Sequence, residues 1–168
     1  MGAMSVLFLM GILSSIFIFF ITIFIVIVAY SVMSYVFESM ALRLMTKNLW
    51  NKEGMRVWIP FYNKSIFGKI VGYKALGMIS SCLTLISFLL SMYFFFYQQL
   101  KMVLFLVLLL MLIITFILDT FIAHRIYMNV SPRYGDILTA TTILSLGLLR
   151  PLFLFLVRNK FHDIKNDN

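Results

Sequence analysis

Long uninterrupted runs of apolar residues dominate the pattern of this chain. The first run extends from about Val6 to Ser34, and the first charged side chain is Glu38. It exceeds the roughly 20 residues with which an α-helix crosses a bilayer core about 30 Å thick. A run of this length cannot be hidden within a soluble domain of 168 residues. The pattern therefore predicts an integral membrane protein.

Three more apolar runs follow, so we expect an all-α polytopic protein with about four membrane segments in a single domain, residues 1–168. The first three segments are clear spans. The fourth contains Arg150-Pro151, where proline removes a backbone donor and disfavours helical geometry in the residue before it. We expect a kinked full span there, with a re-entrant hairpin as the alternative. The predicted spans cover residues 6–34, 75–97, 102–123 and 137–157.

The first helix should continue beyond its span into water. Arg43 and Lys47 lie one turn apart, while Leu42, Met45 and Leu49 line another side of the same helix. This arrangement is typical of a helix with one buried and one exposed face.

Polar residues indicate the helix ends in the second half of the chain. The third span should end at His124-Arg125. Ser131-Pro132 should open the next helix, because serine caps a helix start and proline suits the first helical position.

Basic residues are concentrated in one loop. Residues 38–74 contain seven of the 14 lysines and arginines, interleaved with aromatic residues, in a chain of net charge +8. This mixture is typical of a cytoplasmic loop at the membrane interface rather than of a nucleic-acid-binding surface. It places the N-terminus outside and the loop in the cytoplasm, against anionic lipid headgroups. The candidate residues of this loop are Arg43, Lys47, Lys52 and Arg56.

The polar tail, residues 158–168, conflicts with a full fourth span. A full span puts Arg158, Lys160 and Lys165 outside, against the positive-inside rule. A re-entrant hairpin returns the tail to the cytoplasm but needs surrounding protein to satisfy its backbone. The sequence is therefore compatible with a tail on either side of the membrane.

The segment Trp58-Ile59-Pro60-Phe61-Tyr62-Asn63 is too short and too polar to span, so we interpret it as lying at headgroup depth. Pro60 sets a turn, and Trp58 and Tyr62 anchor the depth of the segment. Asn63 or Ser65 can cap the helix that follows.

Small and hydroxylated residues recur three and four apart in the second span and therefore share one stripe of its helix. Helices in lipid associate through close backbone approach at such stripes, so we expect this one to pack against the first and fourth segments. A polar pathway for a substrate is the alternative, although hydroxyl groups in spans mostly bond to their own helix backbone. The stripe consists of Gly77, Ser80, Thr84, Ser87 and Ser91.

Two ionisable residues lie where a charge is costly. Asp119 follows Thr115 by one turn in the third span, and Arg150 interrupts the fourth. A charge at membrane depth usually has a partner or a function. We expect a paired Asp119, with a proton- or cation-responsive carboxylate as the alternative. We expect Arg150 to extend outward to the headgroups, with a ligand for an anionic partner as its alternative. The expected partners of Asp119 are Lys69, Lys74 or Arg125.

Catalytic and metal-binding patterns are missing from the sequence. The predicted spans contain one carboxylate and no histidine, and Cys82 has no histidine in its segment to activate it. His, Cys, Asp and Glu form no cluster with metal-ligand spacing, and no glycine-rich phosphate loop occurs. We therefore expect neither an enzyme nor a bound cofactor or metal.

Two motifs carry a resemblance. The box Trp58–Asn63 leads into Ile66-Phe67-Gly68-Lys69-Ile70-Val71-Gly72, and Leu149-Arg150-Pro151-Leu152-Phe153-Leu154-Phe155 follows much later. Over about residues 43–160 the chain resembles small multi-pass membrane proteins of Gram-positive bacteria in which an IPxYN or IPFxN box precedes a glycine-containing span. The resemblance implies this architecture and a bacterial cytoplasmic membrane. That group has no assigned activity, so no catalytic residue is carried over.

These observations favour a non-enzymatic membrane protein that acts by binding another membrane component. Two forms fit: an immunity protein against a bacteriocin or toxin, and an accessory subunit of a sensor kinase or transporter. The partner is then another membrane protein, or further copies of this chain. The alternative is a small oligomeric transporter or channel whose path is lined by Asp119 and Arg150, and a membrane-embedded enzyme is the third reading.

Overall fold

The computed structural model describes residues 2–50, 55–97 and 102–160. These residues form helices and turns without a strand, so the predicted all-α class is confirmed. Two short 3-10 turns, Met55–Trp58 and Arg158–Lys160, accompany six α-helices. The helices are α1 (Gly2–Trp50), α2 (Tyr62–Ile70), α3 (Lys74–Tyr97), α4 (Met102–Val130), α5 (Gly135–Leu144) and α6 (Arg150–Val157).

Three of the helices are long and apolar enough to cross a membrane, as predicted for the first three spans. They contain the candidate spans Phe8–Leu49, Lys74–Phe94 and Met102–Val130. The predicted fourth segment, residues 137–157, contains two short helices instead of one long one. With 10 and 8 residues, α5 and α6 are only about 15 and 12 Å long at 1.5 Å per residue. Neither is long enough to cross a bilayer alone.

The chain forms two compact units, Met1–Val36 and Phe37–Asn168. The first is the N-terminal part of α1, whose side chains are exposed from Phe8 to Met33. Its hydroxyl groups bond to the helix itself: Ser15 donates to the carbonyl of Gly11 at 2.9 Å. This is the backbone bonding expected of serine in an apolar helix.

The second unit has a core of apolar side chains from four α-helices and the 3-10 turn Met55–Trp58. The C-terminal part of α1 buries Leu42 and Met45 and exposes Arg43 and Lys47, so the predicted two-faced helix is confirmed. The core consists of Ala41, Leu42, Met45, Val57, Ile66, Phe67, Ile122, Ala123, Ile126, Tyr127 and Leu154.

A turn at Pro60 leads into α2, as predicted. The amide of Tyr62 donates to the carbonyl of Pro60 at 2.8 Å, and Phe61 has a left-handed φ of 67°. Ser81 holds this turn, since its hydroxyl donates to the carbonyl of Phe61 at 2.7 Å. The predicted side-chain cap is wrong: α2 begins at Tyr62 without one, and Asn63 lies buried in its first turn.

The end of α4 and the start of α5 differ from the prediction. Instead of ending at residue 123, α4 continues to Val130, because Ile126 and Tyr127 belong to the core and extend the buried face of the helix. Ser131 begins a turn rather than capping a helix, and the first helical residue of α5 is Gly135.

Helix α5 runs back along α4. Near its start, Gly135 approaches Met128 so closely that an added Cβ would lie 2.6 Å from the Met128 sulfur. One turn further, Thr139 contacts His124, with 2.9 Å between its hydroxyl oxygen and Nδ1. Past the end of the helix, Gly147 lies beside the ring of Phe116 at the middle of α4.

Helix α6 then follows α4 in the opposite direction. The turn of residues 145–149 reverses the chain, with left-handed φ values of 52° at Leu146 and 83° at Gly147. Arg150 contacts Asp119, and the ring of Phe153 lies 6.3 Å from that of Tyr127. Helices α5 and α6 are therefore a hairpin packed on the C-terminal half of α4.

Helices α2 and α3 approach through a pair of glycines. A Cβ added to Gly77 would lie 2.8 Å from the Cα of Gly68, and one added to Gly68 would lie 2.6 Å from the Cα of Gly77. No side chain fits there without moving a backbone. Gly77 belongs to the predicted small-residue stripe, so that part of the stripe does mediate helix packing, but its partner is α2 rather than the first or fourth segment.

We expect Gly77→Ala to lower the free energy of unfolding by roughly 1–3 kcal/mol, because the added methyl group meets backbone atoms of α2. Gly11→Ala is the matched control, since a Cβ at Gly11 meets nothing within 4 Å and alanine favours a helix. Unfolding of purified protein in detergent, followed by circular dichroism, measures both. Equal stability of the two variants would contradict the close approach.

Candidate functional site

Four charged side chains meet inside the second unit. Glu38 comes from α1, Lys64 from α2, Asp119 from α4 and Arg150 from the first position of α6. We call these four residues the ion network. Its two carboxylates and two cations balance, so the cluster has no net charge.

Asp119 is the centre of the ion network. Its Oδ2 accepts a hydrogen bond from Lys64 Nζ at 2.6 Å and forms an ion pair with Arg150 Nη1 at 2.7 Å. Its Oδ1 accepts the hydroxyl of Ser80 at 2.5 Å. The side chain is only 8% exposed. A buried carboxylate is tolerated when partners replace its water, and both oxygens of Asp119 have such partners.

Arg150 bridges the two carboxylates. Its Nε and Nη2 donate to Glu38 Oε1 at 3.0 and 2.6 Å, while Nη1 faces Asp119. The planar guanidinium fork suits this double contact, because its donors point toward the two carboxylates in a fixed geometry. Pro151 supports the arrangement, because proline favours the first turn of the helix that Arg150 begins. The expectation that Arg150 extends outward is wrong.

Lys64 connects the ion network to α3. Its ammonium group donates to the hydroxyl of Thr84 at 2.8 Å as well as to Asp119. Thr84 in turn donates to the carbonyl of Ser80 at 2.7 Å. Two members of the predicted small-residue stripe therefore satisfy hydrogen bonds of the buried charges, a role that the packing interpretation did not include.

The partners that the sequence indicated for Asp119 lie elsewhere. The Arg125 guanidinium lies over two aromatic rings, 5.6 Å from the centroid of Tyr73 and 5.5 Å from that of Phe121. Lys69 and Lys74 are exposed. The pairing of the carboxylate itself is confirmed, but its cations come from α2 and α6.

Two of the three remaining hydroxyl groups singled out in the sequence bond within their own helices. Thr115 donates to the carbonyl of Met111 and Ser91 to that of Ser87, both at 2.8 Å. The hydroxyl of Ser87 is buried and has no hydrogen-bond partner in the described part of the chain. These residues form no continuous polar pathway with Asp119.

The interface box and the basic loop are mostly exposed. Trp58, Pro60 and Tyr62 have exposed side chains, whereas Asn63 is buried in α2. Of the four candidate basic residues, Lys52 lies outside the described residues. Arg43, Lys47 and Arg56 are exposed.

A cavity of about 20 Å³ adjoins the ion network. It has room for about one water molecule, which needs roughly 10–15 Å³ and several polar partners. Three such partners line it, and the other walls are apolar, which excludes a larger polar solute from this space. The lining residues are Lys64, Phe67, Asp119, Ile122, Ala123, Ile126, Arg150 and Leu154.

Metal ligation finds no support among the described residues, where His, Cys, Asp and Glu form no group of three or more around a common point. The carboxylates of Glu38 and Asp119 are each bound to Arg150 instead. Chemically, the ion network can hold helices together and orient one water molecule.

The sequence does contain a pattern that predicts the burial of Glu38. On a helix, Glu38 shares a face with Leu42, Met45 and Leu49, which are four, seven and eleven residues further on. A carboxylate on an apolar stripe needs a buried cation. Lys64 gave no comparable signal, because its neighbours in the interface box suggested an exposed segment.

Comparison of the chain with models of protein families, with curated proteins and with solved structures finds no match. The resemblance to small Gram-positive membrane proteins therefore stays a prediction.

Removing one member of the ion network should destabilise the protein, and removing a matched pair should cost less. We expect Asp119→Asn to lower the free energy of unfolding by about 3–5 kcal/mol, because two buried cations then share Glu38. Adding Lys64→Met restores the charge balance. The double variant should therefore lose about 1–3 kcal/mol less free energy of unfolding than the losses of the two single variants added together. Unfolding in detergent measures this cycle.

Asp136→Asn is the control for the loss of a carboxylate. Asp136 is exposed in the first turn of α5, so its replacement should change stability by less than about 1 kcal/mol. Additive single effects, or an Asp119→Asn variant as stable as Asp136→Asn, would show that the ion network does not hold the unit together.

Proposed function

We propose that this chain is a non-enzymatic protein of a bacterial cytoplasmic membrane that acts by binding another membrane component. The observation that carries the proposal is the closure of the ion network. Each buried charge in it is bonded to an opposite charge of the same chain, so these groups stabilise the fold and leave no free acid, base or nucleophile there. The activity then belongs to the outer surfaces.

Two surfaces support a binding role. Residues 8–33 of α1 are exposed and apolar, and such a helix needs either lipid or another membrane helix around it. Gly11, Ser15, Thr22 and Ala29 give one side of this helix the small residues through which membrane helices approach each other. The second surface is basic and includes Arg43, Lys47 and Arg56.

Two classes of partner agree with these surfaces: a bacteriocin or toxin against which the chain confers immunity, and a sensor kinase or transporter to which it is an accessory subunit. In both classes, contacts within the membrane come from α1 and contacts at the cytoplasmic side come from the basic surface. The partner can also be a second copy of the chain, in which case the same surfaces form a homo-oligomer.

A transporter or channel that uses Asp119 and Arg150 is the second candidate, and the cavity beside them is the observation in its favour. The space of about 20 Å³ admits one water molecule but no larger solute. Transport would require the carboxylate of Asp119 to release the side chains of Lys64 and Arg150 during each cycle. Because Lys64 and Arg150 lie within 2.7 Å of it, the binding role is the better supported proposal.

The proposed topology has the N-terminus outside, the basic loop in the cytoplasm and α5–α6 as a re-entrant hairpin. Three contacts support the hairpin: Gly147 lies beside Phe116 at mid-α4, and both Gly135 and Phe153 lie near its C-terminal end. Protein covers part of the hairpin, as non-spanning backbone at membrane depth requires. The tail then returns to the side of the basic loop, in agreement with the positive-inside rule.

Single-cysteine labelling tests this topology. After Cys82→Ser removes the native thiol, we expect Arg56→Cys and Lys160→Cys to react with an impermeant maleimide from the same side of the membrane. Met102→Cys, at the opposite end of α4, should react from the other side. Inverted membrane vesicles and intact cells provide the two sides. Labelling of Lys160→Cys together with Met102→Cys would mean that the fourth segment crosses.

Affinity capture from native membranes in mild detergent, followed by mass spectrometry, tests the binding role. We expect a membrane protein at stoichiometric yield, and at least about tenfold less of it after Arg43, Lys47, Lys52 and Arg56 are all replaced by glutamine. This loss corresponds to about 1.4 kcal/mol, well below the roughly 4 kcal/mol that four basic residues contribute together near an anionic surface at about 1 kcal/mol each.

The control exchanges lysine and arginine at the same four positions, which preserves the charge and should preserve the yield. Equal recovery from the glutamine variant would reduce the basic loop to a determinant of topology. If the purified protein instead supports a flux into liposomes that Asp119→Asn abolishes while circular dichroism shows this variant to be folded, the transporter is correct.

A further inference from the structure

A groove between α4 and α5 combines aromatic side chains with a histidine. Its volume is about 460 Å³, within the range of roughly 300–1,000 Å³ that is usual for small-molecule sites. We call it the α4–α5 groove. The described residues that line it include no member of the ion network, so the groove is separate from the buried charges. Its lining is mostly apolar with a few polar groups, which is the composition typical of a ligand site.

The α4 side of the groove is one face of the helix. Phe116, Thr120 and His124 follow one another at intervals of four residues and therefore lie on the same stripe. Thr120 is buried, whereas Ile117 and Phe121 on the neighbouring stripe are exposed. From Phe116 to His124 the groove is about 12 Å long at 1.5 Å per residue. This length accommodates an aromatic ring together with the first carbons of an apolar tail.

The two phenyl rings of the groove are held in place by residues outside it. A Cβ added to Gly147 would lie 3.2 Å from Cε2 of Phe116, so this ring packs on the turn that follows α5. The ring of Phe121 lies 5.6 Å from that of Tyr73 and 5.5 Å from the guanidinium of Arg125. Because both rings are already supported, a ligand that packs on them loses little affinity to their ordering.

The hydrogen bonds around His124 define which of its nitrogens carries the proton. Thr139, a groove residue of α5, donates its one hydroxyl hydrogen to the carbonyl of Gly135 at 2.8 Å. Its oxygen can therefore only accept from Nδ1 of His124, which lies 2.9 Å away. In the neutral imidazole, Nε2 then has a lone pair and no proton. The described residues make no hydrogen bond to Nε2, so this nitrogen is an acceptor available to a ligand.

The chemistry of the groove selects the ligand. An unprotonated Nε2 accepts a hydrogen bond, so it favours a ligand with an O–H donor over a ketone or an ether, which can only accept. A phenolic hydroxyl is more acidic than an aliphatic one and is therefore the stronger donor. The rings of Phe116 and Phe121 favour an aromatic ring, which packs on them edge-to-face or offset. A charged ligand is not matched by an Asp, Glu, Lys or Arg among the described residues that line the groove.

We propose that the α4–α5 groove binds a lipid-soluble phenol, a class that includes the hydroquinones of membranes. Its phenolic hydroxyl donates to His124 Nε2, and its ring lies against Phe116 and Phe121. Thr139 is a positioning residue, since it fixes the proton on Nδ1. The apolar tail of the ligand leaves the groove past Ile143 at the exposed edge. The site goes beyond the proposed function and requires no protein partner, so the failure of one proposal leaves the other intact.

The small number of histidines makes the test direct. His162→Gln leaves His124 as the only histidine, so protein with isotope-labelled histidine and no histidine tag gives nitrogen NMR signals from this one ring. Spectra are recorded in detergent at about pH 8, where an ordinary imidazole is neutral. Because protonated and unprotonated ring nitrogens resonate far apart, the spectrum identifies the tautomer. We expect a proton on Nδ1 and none on Nε2 in the protein without ligand.

Three probes of similar size separate the hydroxyl group from the apolar body. They are para-octylphenol, its methyl ether para-octylanisole, and para-octylcyclohexanol, which has a hydroxyl group but no aromatic ring. We expect para-octylphenol to shift the Nε2 resonance until the site is saturated. The other two are compared by the mole fraction in detergent at which they displace it. The methyl ether should bind at least about fivefold more weakly, as expected for one lost hydrogen bond, and the cyclohexanol should be intermediate.

Matched variants separate the groove from the rest of α5. Thr139→Val should distribute the proton over both nitrogens of His124 and weaken binding of the phenol. Thr141→Val removes a hydroxyl group that donates to the carbonyl of Ile137 outside the groove, so it should change neither. Ile143→Trp narrows the exposed edge of the groove and should weaken all three probes without changing the tautomer. Circular dichroism checks that each variant is folded.

Four results would overturn the phenol site. A proton on Nε2 in the protein without ligand would remove the acceptor. Equal binding of para-octylphenol and its methyl ether would mean that the groove takes any apolar molecule. Equal binding of para-octylphenol and the cyclohexanol would mean that it does not select an aromatic ring. An Ile143→Trp variant that binds the phenol as well as the parent protein would place the probe outside the groove.

Discussion

The contact between Arg150 and the two carboxylates is the interaction on which the second unit depends. Removing a guanidinium and two carboxylates from water costs several kcal/mol per ion, and only mutual contact can offset this. Glu38 and Arg150 are 112 residues apart in sequence, so the offset is available only when the C-terminal part of α1 and the start of α6 come together. The fold and the charge pairing therefore form together or not at all.

The ion network also explains why polar residues of α3 face inward. Ser80 and Thr84 lie one turn apart, and each accepts or donates a hydrogen bond that the four charges alone would leave unmade. Close approach of α2 and α3 at the pair Gly68 and Gly77 brings Lys64 within reach of this stripe. One stripe of small residues thus serves two purposes, helix contact at its start and solvation of buried charge one and two turns later.

The parts of this structure that could be predicted are those that depend on local sequence. Apolar runs identified α1, α3 and α4, the two-faced pattern identified the extension of α1, and the cost of a buried charge singled out Asp119. The two cations that pair with Asp119 could not be predicted, because Lys64 and Arg150 reach it only through the turn at Pro60 and the reversal at residues 145–149. Both turns contain non-glycine residues with left-handed φ, Phe61 and Leu146, which local preferences disfavour. Tertiary contacts also carried α4 past its predicted end.

The zero net charge of the ion network has a consequence for a protein in an energised membrane. Moving one elementary charge through 100 mV of transmembrane potential involves about 2.3 kcal/mol, enough to bias the position of an unpaired ionised side chain. The opposing forces on Glu38, Lys64, Asp119 and Arg150 cancel when the four move as one body. A transmembrane potential would therefore exert no net force on the ion network as a unit, whatever the size of that potential.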